Sequence, residues 1–429
     1  MKKIAILVFF TVGFFVHVWA CTGLIAGKQA TVDGSVLVTY SADSHTLYGA
    51  LTSSPAADWP KGSMRSIVEW DTNKPLGEIE QVEHTYAVMG NMNEHQLTVV
   101  ESTWGGRPEL VDTTGIIDYG SLMQLALERA KTAREAIKVM TGLVKKYGYY
   151  SSGESFTIAD PNEAWILDLI GKGPGRRGAV WVAVRIPDDC IAGHANYPRI
   201  HKIPMDDKEN CLYSPDVISF AREMGYFDGL NKDFSFARAY SPADFGALRA
   251  CDARVWSFFR KYDSTMDNYL PYVNGESAEP FPLYVKPSRK LSVQDMKEAM
   301  RDHFEDTPFD MTQDVGAGPF KVPYRFRPMS FEVDGKSYCM ERAIATQQTG
   351  FTIVGQMRNW LPDPVGGVLW FGVDDANTCV YIPMYCGITQ VPECFSPENG
   401  SMYDFSWTSA FWIHNWVANM AYARYEPMI

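Results

Sequence analysis

Val18-Trp19-Ala20-Cys21-Thr22-Gly23 is the stretch on which the reading of this chain turns. Upstream of it, Met1-Lys2-Lys3 is a short positive region, and Ile4 to Val18 is almost wholly apolar. Val18 and Ala20 fill the small-residue positions before a signal-peptidase cut. The apolar run is short for a bilayer span, which needs roughly 20 residues. Residues 1–20 therefore read as a signal peptide, and the mature chain would begin at Cys21. Such a chain carries a thiol of ordinary pKa roughly 8.5 beside an α-amine of roughly 7.7–8.0, so nucleophile and base share one residue.

The residues after Cys21 place it. Thr22-Gly23-Leu24-Ile25-Ala26-Gly27 reads as a short apolar strand, Asp33-Gly34 as a turn, and Ser35 to Tyr40 as a second strand. Together they predict a hairpin with Cys21 at its open end. Residues 53–82 hold Pro55, Pro60, Gly62, Pro75 and Gly77 and read mostly as loop. Thr85–Met89 and Gln96–Ser102 read as strands flanking a turn at Gly90 to His95. Two helices follow, from Asp118 to Ala130 and from a Thr132 cap to about Tyr147, each with apolar residues at helical spacing. Strands return at Ser155–Ala159, Ala164–Ile170 and Ala179–Ile186. Residues 205–310 read as mainly helical, with starts at Ser214-Pro215, Ser241-Pro242 and Ser292. The stretch 305–345 is rich in Pro, Gly and charge and is assigned to no element. Strands at Phe351–Gln356, Gly367–Val373 and Cys379–Pro383 and a helix over Phe405–Arg424 complete the chain. Strands, then helices, then strands again predict an α+β layered fold rather than alternating βαβ units.

Composition narrows the partners. The chain has 429 residues, 46% hydrophobic, 21% charged and 13% aromatic, with a formal net charge of −12. It has no basic stripe, which argues against nucleic acid. No later segment is apolar enough to span a membrane, so no stable membrane insertion is expected after leader removal. The eight histidines show no H-E-x-x-H spacing and the eight cysteines no C-x-x-C pair, so no metal and no other cofactor is called for. Cys386 and Cys394 are near enough for a local bridge, although connectivity is not legible in sequence. Gly173-Pro174-Gly175-Arg176-Arg177-Gly178 matches G-x-G-x-x-G formally, but a strand follows it instead of a helix, which rules out a nucleotide loop.

Four residues stand out as candidates for chemistry, each with a plainer alternative. Cys21 at a processing site is more often a lipid attachment point than a nucleophile, but bulky Trp19 fits a lipobox poorly, and Thr22-Gly23 leads into a strand, not a tether. Asp43, in Ser41-Ala42-Asp43-Ser44, could hold an α-ammonium across the hairpin, while alone it reads as a turn residue. Asn93 and Asn196 each carry an amide able to donate to an oxyanion, and each sits where asparagine commonly shapes a turn.

The order of these features resembles the C69 dipeptidase family, N-terminal nucleophile hydrolases related to the choloylglycine and penicillin V acylases. The likeness rests on Cys21-Thr22-Gly23, Asp33-Gly34-Ser35, Ser41-Ala42-Asp43-Ser44 and Asn91-Met92-Asn93-Glu94-His95. It continues through Gly153 to Asp160, Glu163-Ala164-Trp165, Val184 to Asp189, Ala195-Asn196, Trp370 to Asp375 and Tyr381-Ile382-Pro383, covering most of residues 21–425. The resemblance implies a four-layer αββα sandwich over residues 21–429, with the helical stretch at about 205–310 as an insertion. It implies Cys21 as nucleophile with its own α-amine as base, Asp43 beside that amine, Asn93 in the oxyanion hole and Asn196 as a second asparagine. Where the family usually has Asn-Glu-Asp, this chain has Ser41-Ala42-Asp43. An arginine assists the thiol in the related acylases, and Arg199, Arg254 and Arg260 all remain open for that role. Family members often run past this length, so Ile429 reads as a truncated end.

The expected function is an exported cysteine dipeptidase, periplasmic or secreted in a bacterium, acting on small peptides; a homo-oligomer is left open. The alternatives are an N-acyl amide hydrolase of the bile-salt or penicillin type, and a binding protein lipidated at Cys21.

Overall fold

Two extended antiparallel sheets carry the chain. The computed structural model describes residues 21–325 and 330–429, and the leader expected over residues 1–20 lies outside them. The first sheet runs in the order β16 (Tyr284–Val285), β14 (Ile191–His194), β1 (Thr22–Ala26), β2 (Val36–Asp43), β19 (Thr349–Met357), β20 (Val368–Val373), β21 (Ile382–Tyr385). The second runs β15 (Cys211–Tyr213), β13 (Ala179–Ile186), β12 (Ala164–Gly171), β11 (Gly153–Ala159), β10 (Thr98–Trp104), β9 (Met92–Asn93), β8 (Val88–Met89), β3 (Ser53–Ser54). Three two-stranded sheets stand apart: β4 (Ala57–Asp58) with β7 (His84–Thr85), β5 (Met64–Val68) with β6 (Pro75–Glu80), and β17 (Ser330–Val333) with β18 (Lys336–Cys339).

Why the central strands read as continuous apolar runs is clear from what covers them. β1, β2, β11 and β12 are buried at every position, as strands covered on both faces must be. Alternate side chains go to different apolar layers. Ile166 and Ile170 of β12 join Ile25, Val36, Val38 and Val100 in the layer where the two sheets meet. Trp165, Leu167 and Leu169 of the same strand join α1 (Tyr119–Arg129) and α2 (Ala133–Tyr147) in a second layer. Leu24, Ala26 and Leu37 turn the other way, against the helices Ala253–Arg260 and Val293–Met300, in a third. The protein is thus a mixed α/β fold built on antiparallel sheets.

The local signals act largely as anticipated. The β1–β2 hairpin pairs Thr22 with Ser41 and Gly23 with Tyr40. Asp33 stabilises its turn by accepting from the Ser35 N–H and hydroxyl, and Gly34 supplies φ 82°. Asp118 and Thr132 cap α1 and α2. Ser292 caps its helix in a reciprocal pair with Asp295. The other two expected helix starts are displaced. The Ser214 hydroxyl accepts from the Trp181 N–H of β13, and the short helix Ser219–Glu223 begins further on. Ser241 ends a helix, and Asp244 accepts from the Ala247 N–H of the next. Residues 53–82, expected as loop, contain the β5–β6 hairpin, in which Pro75 tolerably takes the first position of a strand. The stretch 205–310 holds short helices and also gives one edge strand to each sheet, β15 and β16. All eight cysteines, Cys386 and Cys394 included, carry free thiols.

Candidate active site

Cys21 immediately precedes β1, at the open end of the hairpin, and is 4% exposed. Its Sγ lies 3.6 Å from the Tyr40 hydroxyl. That hydroxyl also reaches Glu101 Oε1, to which it donates at 2.6 Å. The three residues thus form a chain from the first sheet to β10 of the second. Burial raises the Cys21 thiol well above its ordinary pKa, and the charges of Glu101 and Asp43 push the same way, opposed by hydrogen bonding from the Asp43 backbone and Tyr40.

Asp43, the last residue of β2, is buried and fully engaged. Its carboxylate accepts from Thr349 Oγ1 at 2.6 Å, Arg342 Nη2 at 2.6 Å and Ser41 Oγ at 3.0 Å. Arg254 organises the other side. It is buried, and its Nη1 donates to the Cys21 carbonyl at 2.8 Å and to Thr22 Oγ1 at 2.7 Å. Its Nη2 donates to Asn196 Oδ1 at 2.8 Å and the Ala195 carbonyl at 3.1 Å. Asn196, at φ 58°, donates in turn to the Thr103 carbonyl of β10. Of the three arginines left open by the sequence, Arg254 is the one that grips Cys21. Arg199 pairs with Asp252, and Arg260 with Asp267.

The structure therefore gathers Cys21, Asp43 and Asn196, but places Asn93 elsewhere. Asn93 Nδ2 donates to the Leu127 and Ala130 carbonyls at 2.8 Å each, and its Oδ1 accepts from the His95 and Leu97 N–H groups. Both amide hydrogens are spent on the end of α1, so the expected oxyanion contact from Asn93 does not fit this arrangement. Asn91, two residues earlier, faces the cavity instead and uses one amide hydrogen on the Val99 carbonyl.

That cavity, of about 320 Å³, has Cys21, Tyr40 and Asp43 in its wall together with Asn91, Glu101 and Asp71. The rest is largely apolar, from Leu47, Leu51, Met123, Leu127, Phe351 and Phe371. Among the described residues that line it there is no histidine. His194, on β14 beside β1, is occupied between the sheets: its ring bonds Ser102 Oγ at 2.6 Å and Thr157 Oγ1 at 2.8 Å. Burial holds it neutral, with a pKa lowered to about 3. Gly23 makes room for it, since a Cβ there would come within 2.9 Å of the ring.

Sequence reasoning missed Tyr40, Glu101, Glu154, Arg342 and Asp71. Glu101 and Glu154 had a signal: each is a carboxylate inside a strand whose neighbours are apolar or small. Burial raises the pKa of both.

A buried thiol, backed by a positioned strand end and fronting a small cavity, is an arrangement suited to acyl transfer. The sequence model of peptidase family C69 matches residues 20–429. A Latilactobacillus sakei protein named "Probable dipeptidase" is 24% identical over 95% of this chain and 82% of its own length. A Salmonella dublin protein of the same name is 27% identical over 86% of this chain and 81% of its own. "Dipeptidase A" of Lactobacillus helveticus is 24% identical over 95% and 82%. The chain belongs to peptidase family C69, and is accordingly a hydrolase.

Proposed function

We propose that this protein is an exported dipeptidase whose active site is created when the leader is removed and Cys21 becomes the first residue. The observation that carries the reading is the Cys21 thiol in the wall of a dipeptide-sized cavity, its strand end gripped by Arg254. The volume of about 320 Å³ lies at the small end of ligand pockets, roughly 300–1,000 Å³. The layering of helices, sheet, sheet and helices supports the four-layer αββα sandwich of N-terminal nucleophile hydrolases.

Release of the α-amine changes the electrostatics that oppose the thiolate. The groups raising the thiol pKa are burial and the charges of Glu101 and Asp43. An α-amine beside Asp43 can accept the thiol proton, and the resulting ammonium offsets those charges. Sγ then attacks the carbonyl carbon of the peptide bond. Asn91, with its second amide hydrogen, takes the oxyanion role in place of Asn93. The C–N bond breaks as the α-ammonium returns its proton to the departing amine. Water, deprotonated by the α-amine, hydrolyses the thioester and restores the thiol. The lipid-anchor reading has the burial of Cys21 against it, because a lipidated residue must leave the fold to reach a bilayer.

Two measurements test the reading. The intact mass of the mature protein is expected to begin at an unmodified Cys21; a diacylglyceryl adduct overturns the proposal. Cys21→Ala is expected to abolish dipeptide hydrolysis in a folded protein, and Cys21→Ser to keep little; undiminished turnover in Cys21→Ala rejects the mechanism.

A further inference from the structure

Beyond the thiol, the cavity has an acidic end, of which the chemistry above involves only the charge of Glu101. Asp71 and Glu101 line the main cavity. An annex of about 240 Å³, sharing Asp71, Thr103 and Tyr119 with it, is lined by Glu154. Glu154 is fully buried, and only the neighbouring Thr103 and Glu101 side chains come near enough to hydrogen-bond its carboxylate, with no cation and no backbone N–H among them. Glu101 accepts from Tyr40, and Asp71 accepts from the Tyr119 hydroxyl at 2.8 Å. Among the ion pairs of the described residues none involves Asp71, Glu101 or Glu154. Three carboxylates thus converge without a cation, which is costly unless protons or a ligand supply the missing charge.

We infer that this acidic end receives the α-ammonium group of the substrate, resting on the dipeptidase reading of the same site. Covalent geometry supports it. In a dipeptide the α-nitrogen is two bonds, about 2.5 Å, from the carbon to be attacked. That carbon must approach Sγ to roughly 3–3.5 Å. The ammonium therefore falls within about 6 Å of the sulfur by these distances. Glu101 lies at that range, because only the Tyr40 hydroxyl separates it from Sγ, through contacts of 3.6 and 2.6 Å. An ammonium there meets Glu101 directly, with Asp71 at the mouth and Glu154 behind. Its three N–H donors match the converging carboxylates in number and in charge. The first side chain of the substrate then points to the apolar wall, at Met123 and Leu127. A neutral acyl amide, carrying no charge at this point, leaves the carboxylates unpaired and is rejected for that reason. The paired acids thus select peptides with a free amino terminus directly at the scissile bond.

Binding to a mature Cys21→Ala protein tests this without relying on turnover. Calorimetric titration with a dipeptide and with its N-acetyl derivative is expected to show the free dipeptide bound at least 100-fold more tightly. Glu154→Gln and Asp71→Asn, each added to Cys21→Ala, are expected to shrink that ratio at least 10-fold. Dipeptide binding is also expected to release protons, read from titrations in buffers of different ionisation enthalpy. A ratio below 3 in the Cys21→Ala protein, or a ratio unchanged in both folded double variants, overturns the inference. Hydrolysis by the unmutated enzyme separates this outcome from failure of the functional proposal: dipeptides cleaved with no preference over N-acetyl dipeptides refute the subsite alone.

Discussion

Replacing Arg254 by Met tests the architecture of the site most directly. Arg254 is 1% exposed and donates five hydrogen bonds, to the carbonyls of Ala250, Cys21 and Ala195, to Thr22 Oγ1 and to Asn196 Oδ1. Methionine fills much of the same volume but donates nothing. Each buried acceptor left unsatisfied costs about 1–3 kcal/mol. The loss is offset in part because burial of the guanidinium is itself unfavourable, which lowers its pKa to about 10. Because all five partners are neutral acceptors, no charge is stranded, and the stranded acceptors less that relief leave a net cost of about 3–5 kcal/mol. With an unfolding entropy of about 2.1 cal/mol/K per residue, a chain of roughly 400 residues should lose about 4–6 °C in Tm. The kinetic effect should be larger than the stability effect. Freed from its carbonyl tether, Cys21 moves relative to Asp43 and Asn91, and kcat is expected to fall at least 100-fold with KM nearly unchanged. Differential scanning calorimetry and steady-state dipeptide hydrolysis, both on the mature enzyme, supply the two readouts. A variant whose Tm stays within 1 °C and whose kcat stays within threefold of the unmutated enzyme refutes the assignment of Arg254 as the residue that positions Cys21.

Other substitutions separate roles that sit close together. Tyr40→Phe removes the link between Sγ and Glu101, and kcat should drop about 10–100-fold with a displaced acidic limb in the pH–rate profile. Asn93→Ala should cost about 2–4 kcal/mol by urea titration, since it strands the Leu127 and Ala130 carbonyls, whereas Asn91→Ala should leave stability nearly intact and lower kcat. His194→Gln should flatten the acid dependence of stability. The folded-state pKa of His194 is lowered to about 3, so its contribution is full above the unfolded value of about 6.5 and is lost as pH falls below it. Between pH 7.5 and 4.5 that contribution falls by about 3 kcal/mol, and the variant's urea midpoint should change correspondingly less over the same range.

The hairpin that presents Cys21 was legible because its information is local: alternation in β2, and a turn fixed by Asp33 and Gly34. The helix caps at Thr132 and Ser292 were legible for the same reason, each bonding within three residues of itself. The β5–β6 hairpin was hidden by its prolines and glycines, which punctuate a sequence whether it forms short strands or loop. Asn93 shows the limit at the site. Its residue type suits an oxyanion donor, but its fate is decided by carbonyls 34 and 37 positions away. Arg342 and Thr349 lie about 300 residues from the Asp43 they hold, and Arg342 comes from a stretch rich in Pro, Gly and charge that the sequence assigns to no element. Arg254 lies within a helical pattern, and only the packing of that helix against β14, beside β1, lets it reach the Cys21 carbonyl and so distinguishes it from Arg260.

The anchoring of Asn93 bears on how specificity in such a fold can change. Its amide fastens the turn carrying Asn91 to the last carbonyls of α1, and α1 supplies Met123, Gln124 and Leu127 to the cavity wall. Helix and turn are thereby locked in a fixed spacing, so one cannot slide without breaking two buried hydrogen bonds. Widening or narrowing the chamber by backbone movement is therefore resisted at this wall. New substrate preferences are reached instead by exchanging side chains on that wall, Met123, Gln124 and Leu127 among them, which can vary in size while the frame that aims Asn91 stays in place.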